Sequence, residues 1–378
     1  MRRTLLVYIV LLGLFLFLWA EVASALPRFS MRTGLSCNAC HVNPSGGGMR
    51  TEHGSLYGRM NLPLNPTMRA KGEKFSPKIT KHLTVGSDLR IMGFSDNRKN
   101  SSFFPMQADL YIAAQLTDKI QIYHDQSLLS NEIETFGLAQ ILPFSGYVKA
   151  GKFVPAFGWK HDNHTAFTRG GNSSSREVGQ VTRGTGFSRD DKDTGVEVGF
   201  YPGQGSIQLA VLNGQRGGIP FDNDQGKAYV ARADYFILNF EHLKTNVGGS
   251  FYHNDAETFE RQIYAGHAGI NLWKLTYLGE FDWNELSRGT TPRVKSTAQY
   301  HEISLLPVQG IDLKGIYEYI DPNLDIGNDA LTRIGGGIEF FPLPHNEIRL
   351  EYRHTTGQKE INPDAGLDEI FLMYHFYF

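Results

Sequence analysis

Asp368-Glu369-Ile370-Phe371-Leu372-Met373-Tyr374-His375-Phe376-Tyr377-Phe378 ends the chain. Ile370, Leu372, Tyr374, Phe376 and Phe378 fall on one face, the period of two of an extended strand. Just upstream, Ile348, Leu350 and Tyr352 alternate with Glu347, Arg349, Glu351 and Arg353. Ile311, Leu313, Tyr317 and Tyr319 oppose Asp312, Lys314 and Glu318. Leu275, Tyr277, Gly279, Phe281 and Trp283 oppose Lys274, Glu280 and Asp282. From Lys81 onward no long helical periodicity occurs. A soluble sandwich also alternates. Here, however, the apolar faces are rich in aromatics and the opposite faces carry both signs of charge. A transmembrane barrel with a lipid-facing outside and a wet lumen predicts both features.

The connections test this independently. Residues 81–378 hold about sixteen candidate strands, an even number as outer-membrane barrels require. Thr117-Asp118, Pro143-Phe144, Pro202-Gly203-Gln204, Pro307-Val308 and Pro342-Leu343-Pro344 read as short turns. Between them lie long connections near Asp96–Phe104, Gly158–Asp190, Asn213–Gly226, Glu285–Lys295, Asp321–Ala330 and Thr355–Leu367. Short periplasmic turns and long outer loops alternate in this way, which places both termini in the periplasm. The expected fold is therefore an all-β, antiparallel transmembrane barrel. Gly158–Asp190 is the longest connection, where porins often fold a loop inward. It carries His161-Asp162-Asn163-His164, a weak metal-binding pattern more often found as a plain exposed loop. Asp321, Asp325 and Asp329 form an acidic loop, most simply a solvated tip.

Residues 1–25 have the form of an export signal. Arg2 and Arg3 precede an apolar run from Leu5 to Ala20, and Ala23-Ser24-Ala25 offers a small-residue cleavage site. The run is short for a membrane span of about 20 residues. No later segment is apolar enough for a spanning helix, so membrane residence has to be as a barrel.

Over the 378 residues, 37 Lys+Arg balance 39 Asp+Glu, which argues against a nucleic-acid partner. With 41 Gly, 17 Tyr and 25 Phe the chain is too apolar and aromatic for disorder and suits a turn-rich β protein. It has only 2 Cys, too few for a disulfide scaffold, and both fall in Cys37-Asn38-Ala39-Cys40-His41. This C-x-x-C-H run is the attachment sequence of haem c. Its spacing suits two thioethers to the porphyrin vinyl groups, with His41 beneath the iron as proximal ligand. A redox dithiol would expect a thioredoxin-like βαβ setting. A zinc site would need a second ligand pair. Export suits haem, because attachment takes place outside the cytoplasm. Met49, His53 and Met60 are candidates for the second axial ligand, and Met31 precedes the motif; most of these side chains are expected simply to pack or face water. Arg50 and Arg59 are candidates to pair with propionates. Asn43-Pro44-Ser45-Gly46-Gly47-Gly48 reads as a flexible wrap that lets backbone pass close to a flat ring. The haem segment, residues 26–80, is small for burying a haem unaided and is expected to borrow the barrel's walls, plugging the lumen.

An export signal, one C-x-x-C-H and a porin-like barrel together resemble the fused outer-membrane monohaem cytochrome c–porin family, which has iron-oxidising members. Leu26-Pro27-Arg28-Phe29, Thr33-Gly34, Cys37 to His41 and Tyr57-Gly58-Arg59 carry the resemblance. Val148 to Gly158 is similar to a strand of the phosphate-selective porins. Departures occur at Phe29-Ser30-Met31-Arg32-Thr33-Gly34, where the iron-oxidase pattern is F-A-R-Q-T-G, and after the motif at Asn43-Pro44 and Tyr57-Gly58-Arg59-Met60. The resemblance implies one covalent haem c, the outer membrane, and electron transfer from an extracellular donor such as Fe(II) to a periplasmic cytochrome. Two alternatives stay open. One is a porin for small, anionic solutes with a haem-bearing plug, served by lumen-facing Arg333, Arg349 and Arg353. The other is an outward conduit to an extracellular acceptor. Porins of this size are often trimers, so a homo-oligomer is among the expectations.

Overall fold

The structure, a computed structural model, describes residues 27–65, 77–159, 165–171, 185, 187–188, 191–214, 222, 224–289 and 291–378. Its strands are β1 (Leu83–Asp96), β2 (Ser101–Thr117), β3 (Ile120–Ser127), β4 (Ile133–Leu142), β5 (Gly146–Phe153), β6 (Asp193–Phe200), β7 (Gly205–Leu212) and β8 (Ala228–Asn239). They continue as β9 (Leu243–Ala256), β10 (Phe259–Leu272), β11 (Leu275–Ser287), β12 (Val294–Val308), β13 (Ile311–Asp321), β14 (Leu331–Phe340), β15 (Asn346–Thr356) and β16 (Leu367–Tyr377).

Each strand pairs with its sequence neighbours, and β16 pairs antiparallel with β1, so sixteen strands close into a barrel. Closure matters because an open edge would expose unpaired backbone groups to lipid. Ser87 and Phe378 exchange backbone hydrogen bonds of 3.3 and 3.1 Å at the seam. The alternation read from the sequence is the alternation observed. In β16, Ile370, Leu372, Tyr374 and Phe376 are exposed on the outer face, and Glu369, Met373, His375 and Tyr377 are buried inside. Glu347, Arg349 and Arg353 of β15 are likewise buried within the barrel.

One end of the barrel carries only short turns, such as Trp273-Lys274 between β10 and β11 and Gln309-Gly310 between β12 and β13. The longest connections leave the opposite end. Two connections there are nevertheless tight: 97–100 between β1 and β2, and Glu257-Thr258 between β9 and β10. These strands are 14 to 17 residues long. Pairing that continues past the rim leaves little chain for a loop, so the expected alternation gives the two ends correctly but not every loop length.

The N-terminal segment lies inside the barrel at the short-turn end. It comprises α1 (Pro27–Thr33), a 3-10 turn (Cys37–Ala39) and α2 (Glu52–Met60). Arg28 pairs with Glu339 of β14 at 2.5 Å, and Arg32 with Asp312 of β13 at 2.8 Å. The Leu64 amide donates to the Phe341 carbonyl at 2.8 Å. From the other end, part of the β5–β6 connection folds inward. The Trp159 amide donates to Glu280 at 2.8 Å, Arg169 pairs with Glu280 at 2.7 Å, and the Phe167 amide donates to Glu318 at 3.0 Å. The two intrusions meet where Met31 packs with Trp159, Phe236 and Leu278. Residues 1–25, the 66–76 part of the haem segment and His161-Asp162-Asn163-His164 lie outside the described residues.

Candidate functional site

Ser36 is extended, and the chain then winds so that Cys40 and His41 both donate backbone hydrogen bonds to the Cys37 carbonyl, at 3.2 and 2.9 Å. This helical turn places Cys37, Cys40 and His41 at i, i+3 and i+4, on neighbouring positions of one surface. Cys37 is half-buried; Cys40 and His41 are buried. His41 bridges to Arg50 and the Val42 amide donates to the Met49 carbonyl at 3.0 Å, closing a hairpin around residues 43–48. Gly46, Gly47 and Gly48 hold φ of 86°, 78° and 62° in succession, a path that side chains would strain. The glycines therefore fix a specific turn. Thr51 caps α2 by accepting from the Gly54 amide at 3.1 Å, and its own amide donates to the Cys40 carbonyl at 2.9 Å. A Cβ on Gly54 would sit 2.0 Å from that carbonyl oxygen, so only glycine lets α2 lie this close to the motif.

Three cavities meet around the motif. Cys40 and His41 line one of about 70 Å³ with Arg28, Arg50, Arg90 and His375. Cys37 opens on another of about 60 Å³, between the plug and the inward loop, with Arg169 and Arg232 in its wall. His41 and Asn38 face a third of about 480 Å³, with Arg50, Arg59 and Lys78. That last volume falls within the range of cofactor-sized sites. Burial, reinforced by Cys37 and opposed by Arg50, pushes the Cys40 thiol up to about 11. The donor set, the space beside His41 and the cationic walls therefore fit a covalent haem.

Arg50 pairs with Asp88 of β1 at 3.3 Å and lies 4.3 Å above the Tyr377 ring. Arg59 lines the large cavity. The candidate second ligands are scattered. Met49 is buried in the wall cluster with Tyr111 and Tyr123. His53 and Met60 are exposed, and Met31 packs at the junction with the inward loop. Sequence reasoning missed His375, which lines the same cavity as Cys40 and His41. Its Nε2 lies 2.9 Å from Asp88 and its Nδ1 2.8 Å from Glu347. The alternation of β16 gave its inward direction; only barrel closure brings it to the plug. Arg333, Arg349 and Arg353 do face the lumen, and each pairs with carboxylate: Glu318 at 2.6 Å, Glu339 at 2.9 Å and Glu369 at 2.5 Å.

The fold and lumen define a porin-type barrel whose bore holds an N-terminal plug. No protein-family model matches the chain, and no curated protein matches it. Among solved structures, OmpT of Vibrio cholerae has a TM-score of 0.57 at 13% identity, over 79% of this chain and 99% of that one. An anion-selective porin from Comamonas acidovorans has 0.55 at 12%, over 78% and 99%. OprB of Pseudomonas putida has 0.57 at 8%, over 78% and 94%. The chain is thus similar in fold to outer-membrane porins.

Proposed function

We propose that the chain is an outer-membrane barrel that carries one covalent haem c on its lumenal plug and transfers electrons across the membrane. An extracellular donor such as Fe(II) and a periplasmic cytochrome are its partners in this reading. The observation that carries it is the seating of Cys37, Cys40 and His41 on one turn inside the bore, with His41 facing a cavity of about 480 Å³ walled by Arg50 and Arg59. The haem, when bound, supplies a one-electron couple. The chain's residues do the rest. Cys37 and Cys40 would anchor the haem, His41 would ligate its iron, and Arg50 and Arg59 would offset propionate charge. Cys40 and His41 are themselves buried, which raises the influence of local charges on them.

An absorbance spectrum of the detergent-solubilised, air-oxidised protein, before and after anaerobic Fe²⁺, tests this. A c-type spectrum whose α-band sharpens on Fe²⁺ addition is expected. A c-type spectrum reduced by dithionite but not by Fe²⁺ would leave the haem and remove the iron donor. His41→Ala should keep a folded barrel and lose the low-spin spectrum; an unchanged spectrum would refute the ligand.

The likeness of the barrel to porins favours a second reading, a channel for small anionic solutes with a haem-bearing plug. Arg333, Arg349 and Arg353 are the cations such solutes would meet, and their pairing with carboxylates weighs against it. Conductance of the full chain in a planar bilayer separates the two.

A further inference from the structure

The inner wall of β1–β4 gathers carboxylates. Asp88 stands directly opposite Asp109, and Asp125 directly opposite Glu134. Like charges placed this way repel. Three of the four have hydrogen-bonding partners. Asp88 is met by Arg50, His375 and the Tyr111 hydroxyl. Asp109 accepts from Gln107. Glu134 accepts from Asn43 at 2.8 Å and from the Val154 amide at 3.2 Å. Asp125 differs. It is 7% exposed, and its buried Oδ1 accepts no hydrogen bond. Among the described residues, the charges bearing most on it are Asp109 and Glu134, then the opposing Lys192 and Asp88; the Lys192 Nζ lies 3.7 Å from Glu132.

The position of this cluster is informative. Tyr111, Tyr123 and Phe136 form a continuous row across the wall, with ring centroids 6.5 and 4.9 Å apart. Ala113, Gln121 and Leu138, two residues further along the same strands, line the large cavity beside His41. Asp125 and Glu134 lie on the other side of the row, towards the long-loop end. The plug touches this boundary through Asn43 and through the Met49 amide, 3.3 Å from the Tyr123 hydroxyl. The carboxylates therefore lie on the long-loop side of this row, across it from the cavity beside His41.

A buried carboxylate among like charges is relieved by a proton or by a cation. Among the described residues no three His, Cys, Asp or Glu converge on a bare ion. A cation here keeps much of its water shell, as small divalent ions do when one or two carboxylates hold them. We infer that Asp125, with Asp109, binds a hydrated divalent cation in the lumen on the long-loop side of the plug. The site stands without the haem; its service as the station where a cationic donor waits rests on the function proposed above.

The test is a titration of the full-length detergent-solubilised protein with Mn²⁺, followed by electron paramagnetic resonance, for the native chain and Asp125→Asn. The native chain should show a saturable site that Asp125→Asn weakens by about tenfold or more, as removal of one near charge predicts. Asp109→Asn provides a second variant, and heat-modifiable gel mobility reports that each barrel has folded. Identical titrations in folded native and variant chains, the outcome if a proton relieves Asp125, would overturn the inference. Where haem is present, Asp125→Asn should slow its reduction by Fe²⁺ and leave reduction by a neutral hydroquinone unchanged. Absence of haem would sink the electron-transfer reading and leave the Mn²⁺ result to decide this one.

Discussion

At the residue scale, Arg50 ties the plug to the barrel seam. It pairs with Asp88 of β1 and stacks over Tyr377 of β16, the two strands whose pairing closes the barrel. Breaking a buried pair costs about 3 kcal/mol when the carboxylate is left bare; His375 and the Tyr111 hydroxyl still meet Asp88, so the loss here is smaller. Arg50→Ala is therefore expected to loosen the plug while sparing the barrel. Amide hydrogen exchange should rise over residues 41–60 and stay unchanged in β9–β12; equal protection of the plug in both proteins would refute the role. Part of this was legible in the sequence. The motif and its trio of glycines are local, and backbone chemistry reads them directly. The partners were not legible, because Arg50 and Asp88 or Arg28 and Glu339 are joined only by closure of the barrel. Asp125 and His375 escaped for the same reason, since inward direction alone does not tell which neighbour, or which lack of one, a side chain meets.

At the element scale, β16 both ends the barrel and closes it. Its outer face exposes Ile370, Leu372, Tyr374 and Phe376, the face that the proposed membrane setting puts against lipid, and its inner face presents Glu369 and His375. Arginine on a lipid face at the midplane costs about 2–4 kcal/mol. Leu372→Arg should lower the urea midpoint of the barrel in lipid vesicles accordingly; a midpoint equal to the native one would mean that this face is not in hydrocarbon. Strand identity was legible because a period of two is written in consecutive residues. The tight β9–β10 hairpin was not, since nothing local announces that two strands overrun the rim. In β2–β5 the inner face carries an apolar row among its charges, with Tyr111, Tyr123, Phe136 and Phe153 buried. There, Leu110-Tyr111-Ile112-Ala113 is apolar on both faces, and that blurred alternation was a usable sign that something dry packs inside.

At the scale of the whole molecule, the bore is filled from both ends, by the plug held on Glu339 and Asp312 and by the loop held on Glu280 and Glu318. The full chain should therefore pass little current. Arg28→Ala with Arg32→Ala removes the plug's clamps and should add large conductance steps in planar bilayers that the native chain lacks; steps of equal size in both would show that the bore was never occluded. The covered seam also constrains how the molecule is made. The plug precedes the strands in the chain, and Phe378 of the last segment bonds Ser87 of the first strand. In the haem-bearing reading proposed above, a rigid porphyrin would have to reach a buried Cys40 on a segment clamped inside the bore. That reading therefore predicts attachment before the cylinder closes, and a cell starved of haem would accumulate unclosed or empty barrels.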